Sequence, residues 1–512
     1  MSGCCVVSMP IVRLPAAGNR PPSVTTAPSS SSLVSRAESL PWPLILLVAL
    51  SLIVAASTIV FPTYTAYDAT YSLLWGREIL AGQLPDFATY RAPTEHPLGL
   101  VFGVFFALFG RAGDRLMLLA TMGSFVLMVV ALYQLARNSF TILVGLAAAA
   151  ILCTRFDFPF LAARAFIDIP YLALLLWAAA IEVARPRRGA PVFWLLALAG
   201  LLRPEAWIIA GIYWLWLLPS LSWRQRIGFA LLVGAAPLIW FGVDFIVTGN
   251  PLFSQTHTTA VTAEDGRAKS ADQIPGETVY FFSQLLKTPV MVAGLVGIGL
   301  AGWLVPRRVR VPLALFLIGL FTFVLLALGQ FSVISRYLLL PAMMLMIFAA
   351  FLVAGFTVIR AGRVRRYWAI AAAVGVAALI VWTILRVNVD VLVTELKFRG
   401  DSVRALTSLL DRPDVRAAAK CGPVMTSNHR LVPSVRWIMD LPADEVIARS
   451  DLPESSKVHS GIVVLAAGRA ILLRGGLDHE NPTAEDTLRN LPPAGYRQVA
   501  ANELYSVYAR CR

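Results

Sequence analysis

Apolar runs alternate with short polar stretches over most of this chain, and the alternation is missing only at its two ends. The first run, Pro41 to about Pro62, is long enough to cross a ~30 Å hydrocarbon core at about 1.5 Å per residue. Further runs lie near 115–136, 140–153, 169–184, 191–202, 205–219, 227–247, 289–305, 311–330, 337–359 and 367–386. Together they predict about eleven transmembrane helices. Leu98–Gly110 is apolar too, but its 13 residues reach only about 20 Å. It is expected to lie at the membrane without spanning it.

The predicted connections settle the orientation. Arg185-Pro186-Arg187-Arg188, Arg224-Gln225-Arg226, Arg307-Arg308-Val309-Arg310 and Arg360 to Arg366 are basic clusters that no Asp or Glu interrupts. Basic connections stay inside. All four do so if the N-terminus is inside and Leu98–Gly110 does not cross. The C-terminal region then lies outside. So do the connections 63–114, 154–168 and 248–288, and the turn from Gln330 to Arg336. Composition agrees: 57% hydrophobic, 14% charged and a mean hydropathy of +0.70 place the chain outside the soluble class. The formal charge of +14 belongs to these clusters, so no nucleic-acid partner is expected.

Three regions follow. Residues 1–39, rich in Ser, Pro, Ala and Thr, are expected to be a disordered cytoplasmic tail rather than a cleaved signal. Residues 40–386 form an all-α polytopic transmembrane domain of the cell membrane. Residues 387–512 mix helical and strand patterns, including a terminal hairpin around Asn502, and suggest a small α/β extracytoplasmic domain. Cys421 and Cys511 fall there, where an external location permits a disulfide. Cys4, Cys5 and Cys153 lie elsewhere.

Ionisable residues at membrane depth are costly and point to function. Here they collect on the predicted outer side. Asp68, Arg77, Glu78, Asp86, Arg91, Glu95 and His96 lie in the first connection. Arg164 and Asp168 follow, then Arg203 with Glu205, Lys287, and Arg336 with Tyr337. Carboxylates beside arginines suit transfer chemistry: a carboxylate takes a proton from an acceptor hydroxyl, and arginines hold a leaving phosphate by paired hydrogen bonds. Asp86, in a Gly/Pro-rich turn, equally fits a structural role, and Glu95 and His96 fit a cap before Pro97.

The same residues carry a family resemblance. Asp68 sits within Ala66-Tyr67-Asp68-Ala69-Thr70-Tyr71, just after the first predicted span. Trp75-Gly76-Arg77, Gly82-Gln83-Leu84-Pro85-Asp86 and Glu95-His96-Pro97-Leu98 follow. Arg164-Ala165-Phe166-Ile167-Asp168-Ile169-Pro170, Leu202-Arg203-Pro204-Glu205 and Ser335-Arg336-Tyr337-Leu338-Leu339-Leu340-Pro341 come in order after them. Over residues 40–390 the chain resembles GT-C membrane glycosyltransferases, the superfamily of protein O-mannosyltransferases and the lipid A aminoarabinose transferase. The resemblance implies an inverting transfer from a polyprenyl-phosphate sugar to a glycan, lipid or protein acceptor, with Asp68 as the base. Arg336, Arg203 and Arg164 are then expected at the donor phosphate. Glu95, His96, Asp86, Tyr337 and Lys287 are expected to bind substrate. Two positions depart from the family: Ala69 stands where many relatives have a second acid, and Leu98 where they have a second proline. A divalent metal is compatible with the family, and no ligand set is assigned to one.

A transporter or flippase for a lipid-linked or anionic solute is the alternative. Such proteins place charge near the midplane and often carry repeats; no internal repeat is visible here. A non-catalytic scaffold is a third possibility. Segment 248–288, bearing Glu264, Asp265 and Asp272, lacks apolar periodicity and is expected to be a mobile lid.

Overall fold

The computed structural model describes residues 40–60, 64–264, 266–386, 389–467, 471–472 and 483–511. The expected tail over 1–39, and Asp265, lie outside them. Helices account for most of the chain. They are α1 (Trp42–Val60), α2 (Tyr67–Leu80), α3 (Pro97–Ala107), α4 (Gly113–Ser139), α5 (Ile142–Cys153) and α6 (Asp157–Ala162). Next come α7 (Asp168–Ala184), α8 (Ala190–Gly200), α9 (Glu205–Leu217), α10 (Trp223–Thr248), α11 (Phe253–Glu264), α12 (Ile274–Leu286) and α13 (Thr288–Leu304). The bundle closes with α14 (Arg310–Leu328), α15 (Leu339–Ala354) and α16 (Arg363–Arg386).

Each of the eleven expected runs is helical. Five helices among the described residues are long and apolar enough to cross a bilayer, and a sixth span arises if α12 and α13, bent by 107°, count as one. α3, α5 and α8 are shorter apolar helices. The bend falls at Lys287, whose φ is 60°, with Pro289 opening α13. Segment 248–288 differs from its expected loop form. It contains α11 and α12, and its threonines return their hydroxyls to the carbonyls four residues back, as Thr258 does to Ser254 and Thr262 to Thr258. A polar helix needs no apolar period when its hydroxyls are satisfied this way.

α15 forms the centre. It is apolar all round and nearly every residue is buried, as a helix with neighbours on all sides requires. Gly294 and Gly297 of α13 face it. A β-carbon there would stand 2.7 Å from the Leu345 carbonyl oxygen and 2.1 Å from that of Phe348, so only glycine permits this approach. A second close crossing joins α2 to α3. A β-carbon on Gly76 would stand 2.2 Å from the Gly103 carbonyl carbon, and one on Gly103 would stand 1.9 Å from the Ser72 oxygen.

The C-terminal region folds on α17 (Val389–Leu410), α18 (Pro413–Ala418), α19 (Val432–Met439) and a five-stranded sheet of order β2-β1-β3-β5-β4. The strands are β1 (Val424–Thr426), β2 (Val446–Ala448), β3 (Gly461–Ala466), β4 (Arg497–Ala501) and β5 (Tyr505–Arg510). β1 is parallel to both β2 and β3, while β4 and β5 form the expected antiparallel hairpin. Leu406, Leu410, Val435, Ile438, Ile462, Val464 and Val507 fill the core between helices and sheet. Cys421 and Cys511 are joined by a disulfide across a separation of 90 residues. Replacing both with serine is expected to cost about 2–4 kcal/mol, because a long loop is freed in the unfolded chain. An unchanged melting temperature in the full chain would exclude that contribution.

This domain is seated on the first connection. The Arg436 guanidinium of α19 is fully buried and donates to Glu78 at 2.5 Å. Arg77 donates to the Leu441 carbonyl at 2.9 Å and pairs with Asp440. Arg111 grips Asp411 with two bonds of 2.8 and 2.9 Å. α2 is thereby held from the bundle side by α3 and from the domain side by α19.

Candidate functional site

Asp68 is the second residue of α2, in a first turn where a carboxylate complements the helix dipole. The residue before that helix, Ala66, is extended, and its N–H donates to the Arg164 carbonyl at 2.9 Å. That bond sets the start of α2 against the turn preceding α7. The turn passes through Ala165, buried with φ 58°, a backbone region that costs a residue with a β-carbon about 1–3 kcal/mol. Arg164 and Phe166, on either side of Ala165, are brought together by this backbone. The Arg164 guanidinium lies 5.1 Å from the ring centres of both Phe160 and Phe166 and 5.6 Å from that of Tyr64.

Arg336 enters from the 3₁₀ turn Ser335–Leu338 that leads into α15. Its Nη1 stands 3.4 Å from Asp68 Oδ2 and 3.3 Å from Asp168 Oδ2, and its guanidinium lies over Phe166. Arg203, in the turn between α8 and α9, pairs with the other oxygen of Asp168. It also gives Glu205 two bonds, of 3.0 and 2.7 Å, and lies over the Tyr337 ring at 4.8 Å. The result is one chain of alternating charge: Asp68, Arg336, Asp168, Arg203, Glu205.

Its members are unequal. The Asp168 side chain is 1% exposed and that of Asp68 32%, so of these two acids Asp68 is the one a substrate can reach. Arg203 is bound on both sides and held. No carboxylate among the described residues pairs with Arg164, and its buried Nε has no acceptor. Asp168, Arg203, Glu205, Thr322 and Tyr337 line a cavity of about 20 Å³, room for a single water. No three metal-ligating side chains converge among the described residues, and the cation between Asp68 and Asp168 is the Arg336 guanidinium.

Of the remaining expected residues, Tyr337 touches this chain of charges through Arg203, and the others make different contacts. The His96 ring packs edge-on against Trp240 at 5.4 Å, and burial pulls its pKa down to about 3, aided by the positive charge of Arg203. It is neutral. Asp86 organises its own turn: its carboxylate accepts from the Ala88 N–H at 3.2 Å, and its N–H donates to Glu78 at 3.0 Å. Lys287 is exposed at the α12–α13 bend, where its charge acts on Asp157. Tyr337 lies against Arg203.

Glu95 is 1% exposed and meets Ser254 and Asp244, the latter also 1% exposed. Ser254 Oγ accepts from Trp240 Nε1 at 3.1 Å and lies 2.5 Å from Glu95 Oε1 and 2.8 Å from Asp244 Oδ1. A hydroxyl has one proton to donate, so one carboxyl must carry its own. Glu95 is that group, its pKa pushed up to about 9 by burial and by the hydrogen bond and repulsion from Asp244. A raised folded-state pKa means the folded chain binds a proton that the unfolded chain releases. Stability therefore falls as pH rises from the ordinary glutamate range toward about 9. Glu95→Gln, which donates permanently, is expected to flatten the melting temperature between pH 6 and 9. A wild-type midpoint constant over that range would contradict the assignment. Asp244 and Ser254 were missed in the sequence, although an acid inside the 227–247 apolar run is itself a signal.

No family model and no curated protein sequence matches the chain. Solved structures do. ArnT from Cupriavidus metallidurans, in the apo state, is similar over 91% of this chain and 97% of its own, with 14% identity and a TM-score of 0.52. The archaeal oligosaccharyltransferase AglB from Archaeoglobus fulgidus, in complex with an inhibitory peptide and a dolichol-phosphate, is similar over 85% of this chain and 70% of its own. Its identity is 14% and its TM-score 0.50. At this identity the likeness shows the fold: a mostly helical body with apolar helices and a small C-terminal sheet domain.

Proposed function

We propose that the protein is a membrane glycosyltransferase. It moves a sugar from a polyprenyl-phosphate donor to an acceptor hydroxyl on the outer face of the membrane, with inversion. The observation that carries this reading is the pairing of the accessible carboxylate of Asp68 with Arg336, beside an arginine, Arg164, that pairs with no acid among the described residues. The fold supports it, and AglB's complex with a dolichol-phosphate offers a precedent for a lipid-phosphate ligand in such a fold.

In this mechanism Asp68 takes the proton as the acceptor oxygen attacks the anomeric carbon, and the bond from that carbon to the phosphate oxygen breaks. Arg164 and Arg336 receive the charge that develops on the departing polyprenyl phosphate. Arg203 touches no substrate. Locked between Asp168 and Glu205, it fixes Asp168, which in turn aims Arg336. Phe160, Phe166 and Tyr64 hold the Arg164 plane, so the donor finds an oriented guanidinium. The apolar tail of the donor remains in the bilayer, and the outer location brings the C-terminal domain to the acceptor side.

The test is sugar transfer by membranes expressing the protein, given a panel of radiolabelled polyprenyl-phosphate sugars including mannose and arabinose. Transfer from one donor is the expected result. Arg164→Gln is expected to raise the donor KM about tenfold or more and lower kcat, since a charged hydrogen bond to phosphate is lost. Arg164→Lys should recover only part, lacking the planar fork. Absence of transfer with every donor, together with uptake or flipping of a lipid-linked solute, would replace this reading with transport.

A further inference from the structure

We infer that the carboxyl ends of β1 and β2 form a subsite that binds the sugar hydroxyls of the acceptor, directly beside Asp68. The inference rests on the glycosyltransferase reading and deepens it, by making the acceptor a carbohydrate read by the C-terminal domain.

Topology places the subsite. The chain runs from β1 to β2 on one side and then crosses to β3 on the other, in the order β2-β1-β3, with all three parallel. Loops leaving a strand at such a reversal diverge, and the crevice between them is where open α/β sheets bind ligands. Ser427 and Asn428 directly follow β1. Ser450 lies two residues past the end of β2, whose first following residue, Arg449, is hydrogen-bonded to Thr426.

Chemistry supplies a second, independent observation. Ser427 and Asn428 are each 2% exposed and Ser450 is 8% exposed. Ser427 Oγ, Asn428 Nδ2 and Ser450 Oγ nevertheless have no hydrogen-bond partner among the described residues. Buried polar groups are nearly always paired, so three unpaired neighbours at a crevice mark a place where a ligand completes the bonding. Two hydroxyls that donate or accept, with an amide N–H that donates, carry no charge, which suits sugar hydroxyls rather than an anion. The Asn428 carboxamide is already oriented, its oxygen accepting from the Arg430 N–H at 3.1 Å. The adjacent Arg449 guanidinium is tied to the Arg489 and Leu491 carbonyls.

The first connection forms the opposite wall. Tyr90 donates to the Ser450 carbonyl at 3.1 Å, and the Tyr67 and Tyr90 rings stand 5.8 and 6.3 Å from that of His429. The Tyr67 hydroxyl is spent on the Arg91 carbonyl at 2.8 Å, so its ring is what remains for a ligand. Tyr67 immediately precedes Asp68. A sugar held at these strand ends therefore meets the first connection, the segment that carries the base.

The test uses the full chain in detergent, with methyl α-mannoside and methyl α-arabinofuranoside as probes in saturation-transfer NMR, beside the Ser427→Ala/Ser450→Ala double variant. Millimolar binding of one glycoside to the wild type, weakened at least tenfold in the double variant, is expected. The melting temperature should be unchanged or raised, because both substitutions remove unpaired groups. Asp68→Asn should bind the glycoside as the wild type does, which separates acceptor binding from transfer. In the transfer assay the double variant should raise the acceptor KM and leave the donor KM alone. Equal binding by wild type and double variant, or none by the wild type, overturns the subsite while leaving transfer standing. Glycoside binding that needs both serines, in a protein that transfers nothing, keeps the subsite and ends the enzyme reading.

Discussion

Asp68→Asn is expected to lower sugar transfer by about 100-fold or more while changing the donor KM by less than about threefold. The substitution keeps the size and one hydrogen-bonding oxygen of the side chain and removes the group that accepts the proton. General-base catalysis contributes about 10²–10⁴-fold, so its loss falls in kcat. The surroundings favour a clean result. Asp68 Oδ2 stands 3.4 Å from Arg336, and an asparagine oxygen can keep that contact. Arg336 also retains Asp168 at 3.3 Å. The comparison that gives the experiment its force is Asp86→Asn, expected to leave transfer within about threefold, because Asp86 serves its own turn. Wild-type transfer rates in Asp68→Asn would remove the base and turn attention to the other acids.

Gly103→Ala is expected to be as damaging, for a steric reason. Its β-carbon would stand 1.9 Å from the Ser72 carbonyl oxygen and 2.7 Å from the adjoining carbon. Both are backbone atoms of α2, so no side chain can swing away. Overpacking costs about 1–3 kcal/mol and more where the backbone must move, and the upper end is expected here. Relief requires α2 to shift by more than an ångström. Asp68 lies one helical turn before Ser72, and Arg436 anchors the other side of α2 through Glu78. A displacement of 1 Å at reacting groups can cost about 100-fold in rate. The variant should therefore melt lower and transfer poorly even when folded. Gly123→Ala in α4 is the control, since a β-carbon there meets nothing within 4 Å. Equal behaviour of the two alanine variants would show that the crossing has slack.

The helical body was legible because membrane-spanning sequence obeys a coarse rule. About twenty apolar residues are needed wherever a backbone must satisfy itself in lipid, and basic connections mark one side. The helices over 113–139, 223–248 and 310–328 could be read to within about four residues at each end for that reason. Segment 248–288 resisted, since Thr258 and Thr262 satisfy their hydroxyls inside a helix that carries no apolar stripe. Asp68, Arg164, Arg203 and Arg336 could be picked out as costly charges at helix ends without any knowledge of which pairs with which. Lys287 and Asp86 looked alike in sequence, yet one stands exposed at a bend and the other in a turn of its own.

By itself the sequence determined where the apolar helices lie along the chain, their order, and the terminal hairpin. These follow from local composition and period. Tertiary structure alone decided that Arg203 is saturated by Asp168 and Glu205 while Arg164 pairs with no acid among the described residues, and that Glu95 and Asp244 meet at the Ser254 hydroxyl. It also decided that the C-terminal domain rests on α2 through Arg436. Charge pairing depends on which helix ends meet, and that is set by close crossings such as Gly76 with Gly103, where contact between two backbones leaves almost no trace in the periodicity of either.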